Sequence, residues 1–370
     1  MPNSLPTRAA ESVGEPLVPA IGGRIQAVDD LDTKLLDRIQ TELPLVQRPY
    51  AALAEAIGSD EDTVLGRVAA LREQKVIRQI SAIFDSRRLG YRGMLVAART
   101  PAERQDEAAD VFSTHPGVSH NYLREHELNL WFTLTVSPRS QLGLDRTVEL
   151  LGELAEVEVI RPMPALRFFK IGVDLDVKGD RDPAAKLVRA KPAKKAPPPE
   201  SLTDRDLDAI RALQLDLPTA AEPFGELAAE FGFEADELFA YGRSFAETGQ
   251  MRRYSAVLAH RNAGFVQNGM GVWRVPEERL DEVGEKMAAF RGVSHCYQRP
   301  TYADWTYNLF SMTHGRDKAE CEAVLAAISA ETGLDDYSVL YSTKEYKKTR
   351  VSYFTPEEAA WEQAHAPLSV

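Results

Sequence analysis

Leu31, Leu35, Leu36 and Ile39 recur at helical spacing and define one apolar face of a first helix. Tyr50, Leu53, Ala54 and Ile57 give a second, shorter helix that stops at Gly58. Ser59 is placed to cap a third helix, with acids in its first turn and an apolar stripe of Val64, Leu65, Val68 and Leu71. Short helices joined by a tight glycine-containing turn predict a helix-turn-helix. The same pattern returns from Leu207 to Gly249. Beyond it the period changes from helical to alternating. Met94 to Arg99 reads as a strand, Glu103 to Phe112 as a helix, and Val118 to Tyr122 and Leu128 to Val136 as strands. Leu142 to Leu154 is another helix, and a last strand starts at Val157. The order βαββαβ is the ferredoxin-like split unit.

The chain is also a duplication. Gln40-Thr-Glu-Leu-Pro44 returns as Gln214-Leu-Asp-Leu-Pro218, and Ile77-Arg-Gln-Ile-Ser-Ala-Ile83 returns as Met251-Arg-Arg-Tyr-Ser-Ala-Val257, both at an offset of 174. Gly117-Val-Ser-His-Asn-Tyr-Leu-Arg124 returns as Gly292-Val-Ser-His-Cys-Tyr-Gln-Arg299 at 175, and Asn129-Leu-Trp131 as Asn308-Leu-Phe310 at 179. A period this long means two copies of a whole module. The fold class is therefore α+β, a tandem duplication in which each copy is a helix-turn-helix part followed by a ferredoxin-like part. The expected boundaries are an N-terminal tail over 1–30, then 31–90 and 91–176 for the two parts of copy 1. A linker over 177–202 follows, then 203–264 and 265–354 for copy 2, and a C-terminal tail over 355–370. From Val177 to Glu200 there are five prolines and seven Lys/Arg against three Asp/Glu, a composition that cannot bury apolar surface.

Charge narrows the function. The 370 residues hold 44 Lys+Arg and 56 Asp+Glu, a net charge of −12, which argues against a nucleic-acid coat protein. The third helix of each copy, where a DNA reader would present cations, carries more acids than bases between Asp60 and Lys75 and between Glu234 and Glu247. The two cysteines, Cys296 and Cys321, are too few for a disulfide framework or a zinc cage. No apolar run is long enough to span a bilayer, and the first 30 residues lack the apolar core of a secretory signal. A reduced, soluble, cytoplasmic protein is expected.

Candidate chemistry sits on the strands of the second part. By the period of two, His295, Tyr297 and Arg299 share a face with Cys296 opposite, and His120, Tyr122 and Arg124 repeat that triplet. Phe310, Met312 and His314 share a face on the next strand, where copy 1 has Thr135 in place of His314. In the last strand Lys344, Tyr346, Lys348 and Arg350 fall on one face, a cluster of like charges that an anionic ligand would relieve or that protects a sheet edge. Trp305 and Tyr307, in the longer segment of copy 2, could stack on a flat ligand or simply pack.

A helix-turn-helix followed by βαββαβ resembles the Lrp/AsnC regulators. Two blocks are more specific: His295-Cys-Tyr-Gln-Arg-Pro-Thr-Tyr-Ala-Asp-Trp-Thr-Tyr-Asn-Leu-Phe-Ser-Met-Thr-His314, and Leu340-Tyr-Ser-Thr-Lys-Glu-Tyr-Lys-Lys-Thr-Arg-Val-Ser-Tyr353. With His120-Asn-Tyr-Leu-Arg124, Asn129-Leu-Trp-Phe132, Ile77-Arg78 and Pro164-Ala-Leu-Arg-Phe-Phe-Lys170, they resemble the siroheme decarboxylases in a fused two-subunit (NirD–NirL-like, AhbA/AhbB-like) form, over roughly residues 31–175 and 203–354. The resemblance implies loss of the acetate carboxyls at C12 and C18 of siroheme, giving didecarboxysiroheme in heme d1 or alternative heme b biosynthesis. It implies a carboxy-lyase, as found in denitrifiers, with His295, His314 and His120 as catalytic candidates. Substrate contacts would fall to Arg299, Tyr297, Trp305, Tyr307, Lys344, Lys347, Lys348, Arg350, Arg124, Arg78 and Arg252. His295 or His314 would either donate a proton or ligate the substrate iron. No cofactor of the protein's own is expected, since siroheme brings its iron. The expected partners are siroheme and its product, other heme-biosynthesis proteins, and either a second copy of the chain or an internal pairing of its two copies; DNA and membrane are not expected. The competing reading is an Lrp/AsnC-like regulator that senses a tetrapyrrole.

Overall fold

The computed structural model describes residues 29–171, 201–258, 267–315 and 317–366. The expected N-terminal tail, up to residue 28, and the linker up to residue 200 lie outside them. Copy 1 runs α1 (Asp30–Thr41), α2 (Pro49–Ile57), α3 (Glu61–Glu73), β1 (Ile77–Phe84), β2 (Arg92–Arg99), α4 (Gln105–Thr114), β3 (Val118–Arg124), β4 (Leu130–Val136), α5 (Gly143–Leu154), β5 (Val159–Met163) and β6 (Arg167–Ile171). Copy 2 runs α6 (Asp204–Gln214), α7 (Phe224–Glu230), α8 (Ala235–Glu247), β7 (Met251–Leu258), β8 (Gln267–Trp273), α9 (Leu280–Ala289), β9 (Val293–Gln298), β10 (Leu309–Gly315), α10 (Lys318–Thr332) and β11 (Tyr337–Lys348), followed by α11 (Pro356–His365).

Local chemistry sets the helix ends. Asp29 caps α1 by accepting from the Asp32 amide at 2.8 Å. Gly58, at φ 72°, takes the left-handed turn that ends α2. The cap of α3 is Asp60 rather than Ser59: its carboxylate accepts from the Thr63 amide at 2.9 Å, and a carboxylate also suits the positive end of the helix. The strands β1 and β7 are elements the alternation reading did not assign. They pair antiparallel as a ribbon, and the helices of both copies pack with it into one core that includes Leu35, Ile39, Val68, Ile80, Ile210, Leu238 and Tyr254. The Leu43 amide donates to the Tyr254 carbonyl at 2.7 Å, and its repeat mate Leu217 donates to the Ile80 carbonyl at 2.8 Å. A helix-turn-helix of this size buries too little apolar surface alone; here the two stabilise each other across a pseudo-dyad.

The ferredoxin-like parts join in the same way. The sheet order is β5-β2-β4-β3-β11-β8-β10-β9-β6. The strand β11 pairs with β8 of its own copy over Tyr337–Tyr341 and then with β3 of the other copy over Ser342–Lys348. Its repeat mate is split in two. Segment β5 pairs with β2 of its own copy, and β6, three residues later, pairs with β9 of the other. The two ends of the sheet are thus halves of one interrupted strand, broken where Pro164 removes a ladder donor. The helices α4 and α5 cover one outer face, and α9 and α10 cover the other. An inner cluster of Ala97, Trp131, Met163, Met270, Val272, Trp305, Phe310 and Leu340 fills the space between the copies.

The segment expected as a C-terminal tail over 355–370 contains α11, which docks on copy 1. Trp361 is 6% exposed, and its indole N–H donates to the Thr114 hydroxyl at 3.0 Å. Residue Leu142, in the N-cap position of α5, has no side-chain acceptor. The buried Glu362 supplies one from α11: its carboxylate accepts from the Gln141 amide at 2.9 Å, from the Leu142 amide at 3.4 Å and from the Ser140 hydroxyl. Replacing Glu362 by Ala leaves those part-buried donors without their carboxylate and is expected to cost roughly 1 kcal/mol. Denaturant unfolding checks this, with the exposed Gln363→Ala as the neutral comparison; an unchanged midpoint for Glu362→Ala contradicts it.

Candidate active site

Each ferredoxin-like part turns its histidine strand inward. On β3, Val118 and Leu123 join the helix-covered core, so His120, Tyr122 and Arg124 face the space between the copies. Tyr122 stands opposite the inner-cluster Trp131, and on β9 Tyr297 stands opposite the inner-cluster Phe310. The common face predicted for His295, Tyr297 and Arg299, with Cys296 opposite, is present. Cys296 is fully buried, and burial pushes its thiol up to about 12.

Both strands carry a bulge just before the histidine. A bulge re-aims the residue it releases from the ladder. In copy 2 the released Ser294 brings its hydroxyl 2.8 Å from His295 Nδ1 and 2.8 Å from His314 Nε2. In copy 1 Ser119 lies 3.0 Å from His120 Nδ1, and its second neighbour, at 2.8 Å, is the Thr133 hydroxyl. Burial holds His295 below the usual 6.5, with Arg299 and Lys170 adding to the effect. Burial likewise lowers His120, helped by Lys348 and opposed by Glu345. Both rings are therefore neutral at pH 7.

Arg124 and Arg299 are the most unusual groups. They are 6% and 9% exposed, and among the described residues neither reaches a carboxylate. Arg124 Nη1 donates to the Leu340 carbonyl at 2.6 Å, and Arg299 Nη1 donates to the Met163 carbonyl. Each acceptor belongs to the crossing strand of the other copy. The Nε of each guanidinium is buried without an acceptor. Burial lowers both to about 10, still charged at neutral pH. The Arg299 Cζ also stands 5.2 Å from the Tyr297 ring and 5.3 Å from the Phe310 ring.

The expected cationic face of β11 is not formed. Bulges at Ser342/Lys344 and Glu345/Lys347 shift the alternation, so one residue of slip moves side chains to the other face. Lys344 turns to α4 and pairs with Asp106 at 2.7 Å, and the Tyr346 hydroxyl donates to the same carboxylate. Lys347 donates to the Ser113 and His115 carbonyls at 2.8 and 3.2 Å, closing the C-terminus of α4. Only Lys348 stands opposite His120. Arg350 lies past the strand end beside Tyr353 and Arg253. Tyr353 also senses Arg252, which pairs with Asp85 at 2.7 Å. Arg78 is exposed on β1. Trp305 is 1% exposed and packs 5.2 Å from Trp131, so it is core and offers no open face. Tyr307 packs edge-on to Trp305 at 5.4 Å and remains half-buried.

Sequence reasoning did not single out Arg87, Phe168, Lys170 or Ser294. Phe168, on β6, is 49% exposed; it meets Tyr297 edge-on at 5.3 Å, and Arg87 stands 5.2 Å from its ring. Lys170 donates to the Phe290 carbonyl at 2.7 Å. The repeat could have flagged Ser294, since it recurs as Ser119 beside each histidine; Arg87 follows from tertiary contact alone. Among the described residues no group of three or more His, Cys, Asp or Glu could hold a metal ion, and no helix is long and apolar enough to cross a membrane.

An exposed aromatic, neutral histidines and buried arginines without acids, between paired ferredoxin-like sheets, give this Lrp/AsnC-type scaffold the chemistry to suit an anionic, partly apolar molecule. Residues 32–78 match the siroheme decarboxylase NirDL-like HTH domain, and 88–170 and 262–347 match the AsnC-like ligand binding domain. The chain is 40% identical to a siroheme decarboxylase of Hydrogenobacter thermophilus, over 89% of this chain and 96% of that one. It is 33% identical to the siroheme decarboxylase NirDL subunit of Paracoccus denitrificans, over 87% and 96%. The crystal structure of the siroheme decarboxylase NirDL in complex with an iron-uroporphyrin III analogue superposes with a TM-score of 0.71 at 35% identity, covering 90% of this chain and 98% of that one. The chain belongs to the siroheme decarboxylase family, in its fused two-subunit form.

The regulator reading loses ground on the same scaffold. On α3, Arg67 is bridged to Asp29 and Asp32, and Arg72 is bidentate to Asp216 at 2.6 and 3.0 Å. Those cations are already neutralised within the chain, and α8 carries Arg243 alone.

A histidine held neutral by burial binds fewer protons folded than unfolded. Its stabilising contribution is complete above 6.5 and is lost as the pH falls toward the folded value. His295 and His120 follow this sign, and so does the buried His115, lowered to about 4. The melting temperature is expected to fall from pH 7 toward pH 4, and less steeply in His115→Gln. Identical slopes for the two proteins would remove His115 from the account.

Proposed function

We propose that the chain decarboxylates siroheme, removing the acetate carboxyls at C12 and C18 to give 12,18-didecarboxysiroheme. It is then a carbon–carbon lyase of heme d1 or alternative heme b biosynthesis, working in the cytoplasm. The observation that carries this reading is the buried Arg299 with no acid partner. A guanidinium keeps its charge, and desolvating it without a counter-ion is costly. A substrate carboxylate supplies the missing partner and can use the unpaired Nε–H.

The pocket at His295 is favoured over its counterpart at His120. There, Phe168 and Tyr297 offer apolar surface to a flat macrocycle, while Arg299 and Arg87 supply cations; Lys170, like its repeat mate Lys347, is committed to a helix end. At His120 the crossing strand presents Glu345 opposite Tyr122, and its carboxylate pairs with Lys348 at 3.7 Å, which takes up the cation nearest that histidine. Arg350, beside Tyr353, is left to meet a peripheral carboxylate, while Arg252 is already paired with Asp85. Lys344 and Lys347 are committed to α4 and drop out of the binding set, and Trp305 acts as the floor behind Tyr307.

Loss of carbon dioxide leaves an electron pair on the acetate methylene, and the tetrapyrrole ring accepts it if the ring is first protonated. His295, or His314 beside it, donates that proton or the one that completes the methyl group. A neutral imidazole can instead ligate the substrate iron. The reaction is redox-neutral and needs no further cofactor. A tetrapyrrole-dependent regulator would return siroheme unchanged.

Anaerobic incubation of the full chain with siroheme, followed by mass spectrometry, is expected to show successive loss of two carboxyl groups. Intact siroheme after prolonged incubation overturns the assignment. His295→Ala is expected to slow the reaction about 100-fold or more.

A further inference from the structure

Resting on the decarboxylase reading, we infer that Ser294 joins His295 and His314 into a proton relay that supplies the reaction's protons. Each decarboxylation breaks one C–C bond, releases carbon dioxide and places one proton on the carbon that keeps the electron pair. Two decarboxylations therefore consume two protons. A histidine held neutral by its surroundings carries one ring proton and cannot give a second without being reloaded.

The geometry provides the reloading path. The Ser294 hydroxyl has one proton and lies 2.8 Å from each of two ring nitrogens, His295 Nδ1 and His314 Nε2, with the Met312 carbonyl farther off at 3.3 Å. It can donate to one ring only while accepting from the other. With Ser294 donating to His295 Nδ1, the His295 proton sits on Nε2, the nitrogen left for the substrate. As Nε2 gives that proton away, the serine proton moves to Nδ1 and the His314 Nε2 proton moves to the serine oxygen. His295 ends as the other neutral tautomer with Nε2 bare, and a His314 that began as imidazolium ends neutral; a solvent proton taken up at Nε2 then drives the reverse transfer, Nδ1 to serine and serine to His314, and restores the starting state for the second decarboxylation. No atom or electron is left over.

Copy 1 shows what the serine lacks without its second histidine. Ser119 makes the same contact to His120 but meets the Thr133 hydroxyl, which cannot store a proton near neutral pH. The same bulge precedes both histidines, so the difference lies in the second partner and not in the backbone. Among the described residues, the charged or titratable groups around His295 are Arg299 and Tyr297 on β9, Lys170 on β6 and, beyond Tyr297, Arg87 from the turn after β1. The cations among them disfavour a second positive charge on His295, and the relay assigns the extra proton to His314.

Removing only the relay hydroxyl in Ser294→Ala is expected to lower kcat for siroheme about 10- to 100-fold, with KM unchanged within about twofold. The proton inventory of kcat in mixed light and heavy water is expected to be curved for the native chain and straight for Ser294→Ala. His314→Gln keeps a donor to Ser294 but cannot carry an extra proton, and is expected to give the same straight inventory. Native kcat and native curvature in Ser294→Ala would overturn the relay while leaving the decarboxylase reading intact. Nitrogen-15 NMR of the histidine rings needs no turnover: linked titration of His295 and His314 in the native chain, uncoupled in Ser294→Ala, is expected. Independent titration in the native chain overturns the relay even if siroheme proves not to be the substrate.

Discussion

The strand that starts in one copy and finishes in the other is the constraint on which the rest depends. β11 does this without a break, and β5 with β6 does it around Pro164. Each crossing strand supplies the carbonyl that receives the other copy's buried arginine, Leu340 for Arg124 and Met163 for Arg299. Neither copy alone could hold its guanidinium in place. The inner cluster of Trp131, Trp305, Met163, Met270 and Leu340 draws on both copies as well. Fusion into one chain raises the effective concentration of this pairing.

The pseudo-symmetry is then broken at the site. Repeat-related positions hold Phe168 in one pocket and Glu345 in the other, opposite Tyr297 and Tyr122 respectively. A small set of side chains on a shared frame thus separates an apolar, cationic pocket from one with a carboxylate at its wall. The acidic surface of the molecule adds to the contrast. With a net charge of −12, the field of the whole protein repels an anionic macrocycle, so capturing one would fall to local guanidinium groups.

Much of this was legible in the sequence because the repeat fixes equivalence and the period of two fixes faces. The inward triplets of His120 and His295, the βαββαβ order and the family all follow from those signals. What failed did so where tertiary contact overrides periodicity. The bulges of β11 sent Lys344 and Lys347 to α4, which a strict alternation cannot anticipate. The ribbon β1–β7 forms because two incomplete cores meet, and α11 forms because copy 1 offers Trp361 and Glu362 a place to bury. Trp305 reads equally well as a ligand platform or as packing until its burial is seen.

Ligand-dependent stability tests the central claim, that Arg299 is kept buried and unpaired for a substrate carboxylate, most directly. Unfolding of the native chain and of Arg299→Met should be followed with and without excess siroheme under anaerobic conditions. Without siroheme, Arg299→Met is expected to be as stable as the native chain or more so, because a buried charge without a counter-ion has been replaced by an apolar side chain. With siroheme, the native chain is expected to gain about 2–4 kcal/mol at 100 to 1,000 times the dissociation constant, and Arg299→Met little of it at the same concentration. Equal stabilisation of both proteins by siroheme would contradict the account.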